Sequence, residues 1–287
     1  MTAPGAEASR LPASGDVEYS TRDFERIAEI LNGIAGIHMP GSNEALVFSR
    51  LAKRVRGRGF SRFSDYVAHI ASGQDPAERD AMVAALTTNT TRFFREDYHF
   101  ETFARDVLPG LRDRATGGGR VRLWSAGCSS GEEPYSLASV VLRHFPEVAR
   151  HDVRILATDI NREVLATAEE GIYPASAAGG VPSVHAQLLF DPGARPETVS
   201  VRNEARDLIS FRYMNFMEPW PVRGPFGAIF CRNVMIYMQE STQARIWAAL
   251  TNLLEPGGYL FIGHSERIGP ELRDQLELVG KTTFRRV

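Results

Sequence analysis

Residues 121–138 read VRLWSAGCSSGEEPYSLA. An apolar run ending at Trp124 passes into small residues, Gly127 and Gly131 bracket a turn, and a helical pattern opens on Glu132, Glu133 and Pro134. Strand, glycine turn and helix in that order form the entry to a Rossmann-like unit, where backbone can approach a ligand because no side chain intervenes. The full GxGxxG fingerprint is missing. The acidic pair matters more, because a phosphate at a helix start needs bare N–H groups and is repelled by two carboxylates. A ligand carrying positive charge is the better match.

Working outward, VRILATD at 153–159, FGAIFC at 226–231 and GYLFIG at 258–263 are short, branched-rich apolar runs separated by helical stretches. That alternation predicts a parallel sheet covered on both faces, hence an α/β fold with a doubly wound, Rossmann-like domain over 119–287. Residues 173–203 carry too many helix breakers for one helix, and TVSVR within them alternates like an exposed strand, so they are read as an insertion with a small antiparallel element. Residues 91–118 form a linker and helix leading into this domain.

The first ninety residues follow a different period. Ser20 with Asp23 resembles a capping box, and Phe24, Ile27, Ala28 and Leu31 follow at helical spacing up to Gly33 and Gly36. Further helices are expected from Asn43 to Arg56, from about Ser64 to Ala71, and from Pro76, capped by Asp75, to about Leu86. Residues 17–90 are thus an all-α domain, and residues 1–16, poor in bulky apolar groups, a mobile tail. With 287 residues the chain has room for two such cores. No apolar stretch is long enough to cross a bilayer and no secretory leader is visible. Two cysteines, Cys128 and Cys231, make no disulfide framework, so a cytoplasmic location is expected. Thirty-three basic against 35 acidic residues predicts no nucleic-acid partner.

Asp159 ends the second strand, where a carboxylate can accept both hydroxyls of a ribose. An adenosine with a cation and no phosphate describes S-adenosylmethionine. The same residues also fit a glycine turn and an Asp helix cap with no ligand. A nicotinamide-dependent oxidoreductase is disfavoured by the missing glycine and the acidic helix start.

Five strings then appear in order: TTNTTRFFRE at 87–96, SAGCSSGEEPYSLA at 125–138, ATDI at 157–160, PFGAIFCRNVMIYM at 225–238 and GGYLFIGHSE at 257–266. Over about residues 17–287 this order resembles the chemotaxis receptor glutamate methyltransferases, the CheR family. The resemblance implies transfer of a methyl group from S-adenosylmethionine, without a metal, to glutamate side chains of methyl-accepting receptors. It places Asn89, Thr91, Arg95, Glu133, Asp159, Asn215, Phe216, Arg232 and Asn233 at the cofactor, beside Gly127 of the turn. Arg95 and Tyr237 become the neighbours of the transferred methyl. Gly227 stands where the family string more often has Asp, and little effect is expected. A non-catalytic module that keeps the cofactor as a sensor is the alternative.

The stretch from Ala45 to Ser64 holds six basic residues and no acid. Arg50, Lys53, Arg54 and Arg56 lie on the helix side away from Val47, Leu51 and Val55, so they are either a solvated face or, as the resemblance implies, the docking surface for a glutamate-rich receptor helix. Membrane association is then only through the receptor. Some family members also dock on a receptor's C-terminal peptide through a glycine-rich loop of the insertion. Here Asp191 to Ser200 has Gly193 alone, with Pro192 and Pro196, so no such tether is expected. His264 reads as part of a capping turn, and Cys128 and Cys231 as small buried residues or as thiols beside the cofactor.

Overall fold

The computed structural model describes residues 17–287; the expected tail at 1–16 lies outside them. The chain divides into two contact units, one running to Thr88 and including Tyr237–Gln239, the other comprising Asn89–Ile236 and Glu240–Val287.

The first unit is helical: α1 (Thr21–Ala35), α2 (Glu44–Gly57), α3 (Phe63–Ala71) and α4 (Pro76–Leu86). Ser20 and Asp23 form the expected capping box, and Gly36 closes α1 in the left-handed conformation. Helices α2 and α3 each differ by one residue from the expected bounds. Phe24, Ile27 and Leu31 of α1, Val47, Leu51 and Val55 of α2, and Phe63, Tyr66 and Ile70 of α3 are buried, so the helical period in the sequence is the core stripe. Two backbone links bring the Tyr237 segment into this unit: His38 N–H donates to Tyr237 C=O at 2.8 Å, and Ile37 bridges Met238.

The second unit opens with α5 (Tyr98–Thr102), which runs through a π turn (Phe103–Val107) into α6 (Leu108–Thr116). Then follow β1 (Val121–Ala126), α7 (Glu132–His144), β2 (Val153–Asp159), α8 (Arg162–Glu170), β3 (Ile172–Pro174), α9 (Ala175–Ala178), α10 (Ser183–Leu189), β4 (Phe190–Pro192), β5 (Thr198–Val201) and α11 (Asn203–Arg206). It finishes with β6 (Ile209–Tyr213), β7 (Phe226–Cys231), α12 (Glu240–Leu253), β8 (Leu254–Ile262), β9 (Leu276–Gly280) and β10 (Thr283–Arg286). The main sheet has the order β6-β2-β1-β7-β8-β10-β9. The first five strands are parallel, as the apolar runs predict, whereas β10 pairs antiparallel with both β8 and β9. The apolar runs do not predict that closing hairpin: TFRR carries two arginines, and in LELVG Leu278 and Val279 are exposed at the sheet edge.

Side chains alternate across this sheet. Leu123, Ile155, Ala157, Ala228, Phe230 and Phe261 join Phe100, Phe103, Leu111, Tyr135 and Val141 in one core. Trp124, Leu156, Thr158 and Ile229 occupy the alternate positions and face the other way. Strand order reverses between β1 and β7, which puts the loops after β1, β2, β6 and β7 around a topological switch point. The insertion forms a three-stranded antiparallel sheet, β3-β5-β4, with α9 and α10 between its first two strands.

Candidate functional site

The turn after β1 is shaped by three positive φ angles, at Gly127 (85°), Ser129 (50°) and Gly131 (98°). Gly127 and Cys128 both donate their N–H to Thr158 C=O, at 2.8 and 2.9 Å, which fastens the turn to β2. A Cβ on Gly127 would come within 2.3 Å of Val234 Cγ2, and one on Gly131 within 2.8 Å of Ala168 Cβ, so both glycines are required by packing as well as by backbone.

Asp159 faces this turn. Its Oδ2 accepts Ser129 N–H at 2.8 Å and its Oδ1 accepts Asn161 N–H at 2.9 Å. Each oxygen retains a lone pair for a further donor. Burial pushes the carboxyl above its ordinary range, against the pull of those N–H groups. Ser129 Oγ donates to Asn89 C=O at 2.9 Å and so attaches the 89–96 segment. Met214 N–H donates to Asp159 C=O at 3.0 Å, which sets Asn215 and Phe216 immediately beyond β6 and beside β2. Asn215 is buried and accepts Met217 N–H at 2.9 Å, while Phe216 packs against Trp220 with ring centroids 5.3 Å apart.

At the start of α7, Glu133 accepts from Ser125 Oγ at 2.7 Å and from Arg232 Nη1 at 3.0 Å. Burial pushes its carboxyl up and Arg232 opposes that shift. Arg232, with a side chain only 2 % exposed, also reaches Glu96 at 3.4 Å, donates to Arg95 C=O and lies 5.6 Å from the centre of the Phe100 ring. Phe93 and Phe94 are buried as expected. Arg95 forms no ion pair with Glu96 or Asp97; its Nη1 donates to Thr90 C=O at 2.9 Å.

Two carboxylates at this site were not singled out in the sequence. Glu96 meets His264 Nδ1 at 2.7 Å and Asn233 Nδ2 at 3.4 Å. Burial raises its carboxyl, but His264 and Arg232 outweigh burial and hold it at about 2. Glu266 accepts four backbone N–H groups, from Gly263 (2.5 Å), Asn233 (3.0 Å), Val234 (2.8 Å) and Met235 (2.7 Å). Asn233 has a φ of 60°, and this carboxylate fixes that turn. Both acids lie inside recognised strings, yet spacing alone does not distinguish them from surface glutamates. His264 is exposed and pairs with Glu96 rather than serving as a cap.

The structure therefore gathers Asn89, Gly127, Glu133, Asp159, Asn215, Phe216, Arg232 and Asn233 at one end of the sheet. Thr91 is half-buried in the 89–96 loop without a side-chain link to that group, and Tyr237 belongs to the helical unit. Cys128 and Cys231 are both buried, with burial pushing their thiols up, which favours the packing role.

The expected docking face needs correction. Arg54 makes a two-pronged pair with the buried Glu78, at 2.6 and 2.7 Å, and Arg50 Nη1 donates to Leu86 and Thr87 C=O at 2.9 and 3.0 Å. Arg54 ties α2 to the first turn of α4, where Glu78 also accepts from Tyr66 Oη at 2.9 Å, and Arg50 ties it to the last turn, whose carbonyls have no partner within the helix. Only Lys53 and Arg56 of the four are exposed.

A doubly wound sheet with an open turn after β1, a carboxylate ending β2 and an acidic start to the next helix defines a Rossmann-like methyltransferase domain. The family described as CheR methyltransferase, SAM binding domain, matches residues 89–285, and its all-alpha domain matches residues 22–87. The chain belongs to the CheR methyltransferase family. It is 45% identical over 253 residues to a probable chemotaxis protein methyltransferase of Rhizobium etli, covering 88% of this chain and 94% of that one. It is 38% identical over 280 residues to the chemotaxis protein methyltransferase of Klebsiella aerogenes, covering 96% and 91%. Chemotaxis protein methyltransferase 2 of Pseudomonas aeruginosa is 37% identical over 260 residues, covering 89% and 90%. Among the described residues no helix is long and apolar enough to cross a membrane.

Proposed function

We propose that this protein transfers the methyl group of S-adenosylmethionine to glutamate carboxylates of methyl-accepting chemotaxis receptors, producing glutamate methyl esters. The observation that carries the cofactor assignment is the pair of accepting carboxylates: Glu133 and Asp159 around a glycine turn whose helix start is acidic, a setting that favours an adenosine bearing a cation over any phosphate ester. The residues fit the group. Asp159, held by two N–H groups, keeps lone pairs for ribose hydroxyls; Asn215 and Phe216 offer an amide and an aromatic face for the adenine; Asn89, Thr91, Glu133, Arg232 and Asn233 complete the proposed contacts. Bound there, the cofactor supplies a methyl already activated by its sulfonium.

The chain's own part is positioning. A glutamate side chain has an unperturbed pKa near 4.3, so at neutral pH the nucleophile is already ionised and no general base is needed. Alignment of the two reactants can contribute up to roughly 7–11 kcal/mol. Arg95 and Tyr237 carry the proposed catalytic roles, and Lys53 and Arg56 the proposed contact with an acidic receptor helix. The short connection between β4 and β5 supports the reading that no C-terminal receptor peptide is bound. A location in the cytoplasm follows from this substrate.

Calorimetry with S-adenosylhomocysteine and with NAD, followed by a base-labile methyl assay on receptor-bearing membranes, tests the proposal. Binding of S-adenosylhomocysteine but not NAD, and base-labile label on the receptor, are expected. Cofactor binding without label on any receptor would favour the sensor alternative.

A further inference from the structure

Between β6 and β7 the chain crosses the sheet without a helix. Residues 214–225, MNFMEPWPVRGP, contain three prolines, which fix φ and lack N–H donors, so the crossover is an extended strap. Trp220 of the strap packs edge-on to Trp124 of β1, with ring centroids 5.8 Å apart. Because a strap is narrower than a helix, part of the sheet face beside it stays uncovered.

That uncovered part is a cavity of about 550 Å³, within the range of small-molecule sites. Five arginines line it, Arg114, Arg120, Arg122, Arg212 and Arg223, against the single acid Glu255. Glu255 pairs with Arg114, and Asp152 pairs with Arg122 at 2.8 Å. Arg212 spends one donor on Phe211 C=O at 2.6 Å, and Arg120 and Arg223 have no carboxylate partner among the described residues. Three guanidinium groups therefore share one cavity without a carboxylate partner, and all three would attract an entering anion. Guanidinium forks match phosphate oxygens two at a time. Leu156, Met214 and Phe226 supply an apolar floor of a kind that a purely inorganic anion would not use.

We propose that this cavity is a second ligand site, for a nucleoside polyphosphate, with the phosphates among Arg120, Arg212 and Arg223 and the base on the apolar floor. Its chemistry is opposite to that of the turn after β1, where carboxylates disfavour phosphate. The strap lining it also carries Asn215 and Phe216.

The test is calorimetry on the full-length protein in excess S-adenosylhomocysteine, titrated with ATP, GTP, inorganic pyrophosphate and adenosine. Micromolar binding of a nucleotide is expected, weaker for pyrophosphate and for adenosine, and weakened further as salt is raised. Arg212→Ser with Arg223→Ser, both at exposed positions, should lower nucleotide affinity at least tenfold and leave the melting temperature and S-adenosylhomocysteine affinity unchanged. Absence of nucleotide binding at millimolar concentration, equal affinity for pyrophosphate, or binding unaltered in the double variant would each overturn the proposal.

Discussion

Glu133 and Arg232 lie 99 positions apart in sequence and form an ion pair at 3.0 Å that is almost closed to solvent. Glu133 lies in the first turn of the helix after β1 and Arg232 follows the last residue of β7, so the pair ties together the two loops on either side of the switch point. Removing one partner of a buried pair costs about 3–5 kcal/mol, because the other is left charged without compensation. Arg232→Met should therefore destabilise the protein by about that amount, and Glu133→Gln with Arg232→Met by less than Arg232→Met alone. The sign with pH follows from burial, which already pushes the Glu133 carboxyl up. Without Arg232, the folded chain retains a proton that the unfolded chain releases, so the variant should lose stability as pH rises above the ordinary carboxylate range. Urea unfolding at rising pH measures it, and a pH-independent loss would contradict the assignment.

The four N–H groups converging on Glu266 make it a positioning residue for the Asn233 turn. Hydrogen bonds to a charged acceptor are worth about 1.5–3 kcal/mol each, so Glu266→Gln should lose at least one such increment. S-adenosylhomocysteine affinity is expected to fall about tenfold or more, and Glu266→Asp to recover only part of it. Unchanged affinity in a folded Glu266→Gln protein would separate this turn from the cofactor site.

Sequence made legible those features that depend on local pattern. The strands β1, β2, β7 and β8 are apolar runs, Gly127 and Gly131 punctuate the turn, and Asp159 ends its strand; each is visible in a window of a few residues. Partnership across the chain was not legible. Arg50 and Arg54 share a helix face with Lys53 and Arg56, and nothing in their spacing tells that Glu78, on another helix, is buried beneath Arg54. Glu96 and Glu266 escaped for the same reason: a glutamate acquires its role from the N–H and cationic groups that the fold brings to it. The β9 and β10 hairpin escaped because an edge hairpin need not carry the apolar pattern of buried parallel strands.

Separating structure from docking in α2 follows from those partners. Arg54→Glu would face the buried Glu78 with a second carboxylate, and a loss of about 3 kcal/mol is expected, at the low end for a broken buried pair because Arg58 remains 3.3 Å from Glu78. Lys53→Glu with Arg56→Glu, at exposed positions, should leave the melting temperature within about 2 °C while reducing receptor methylation several-fold, more so at low salt, where exposed charges are less screened. Normal methylation by that double variant would make the face a solvated one.

Acid should destabilise the protein in two windows, the first from the buried His99 with a smaller share from His185, whose pKa burial lowers from 6.5 to about 4, and the second from Glu96. His99 is fully buried, its Nε2 shares a hydrogen bond with Thr282 Oγ1 at 2.9 Å, and burial together with Arg232 pushes its pKa down from 6.5 to about 3. Between those values the unfolded chain binds a proton that the folded chain refuses, so stability falls with acidification from about pH 6.5, by up to ~1.4 kcal/mol per pH unit. Glu96, held at about 2 against an ordinary 4.5, adds a second loss as pH falls below 4.5, when the unfolded chain again takes the proton first. Glu96's shift therefore favours the folded state at neutral pH and is withdrawn in acid, whereas His99, neutral in both states at pH 7, adds a growing penalty to folding below about pH 6.5. Urea unfolding at pH 7, 6 and 5 should give a slope that flattens in His99→Gln, whereas Glu96→Gln should keep that slope and lose only the fall below pH 4.5. An undiminished slope between pH 7 and 5 in His99→Gln would remove His99 as its source.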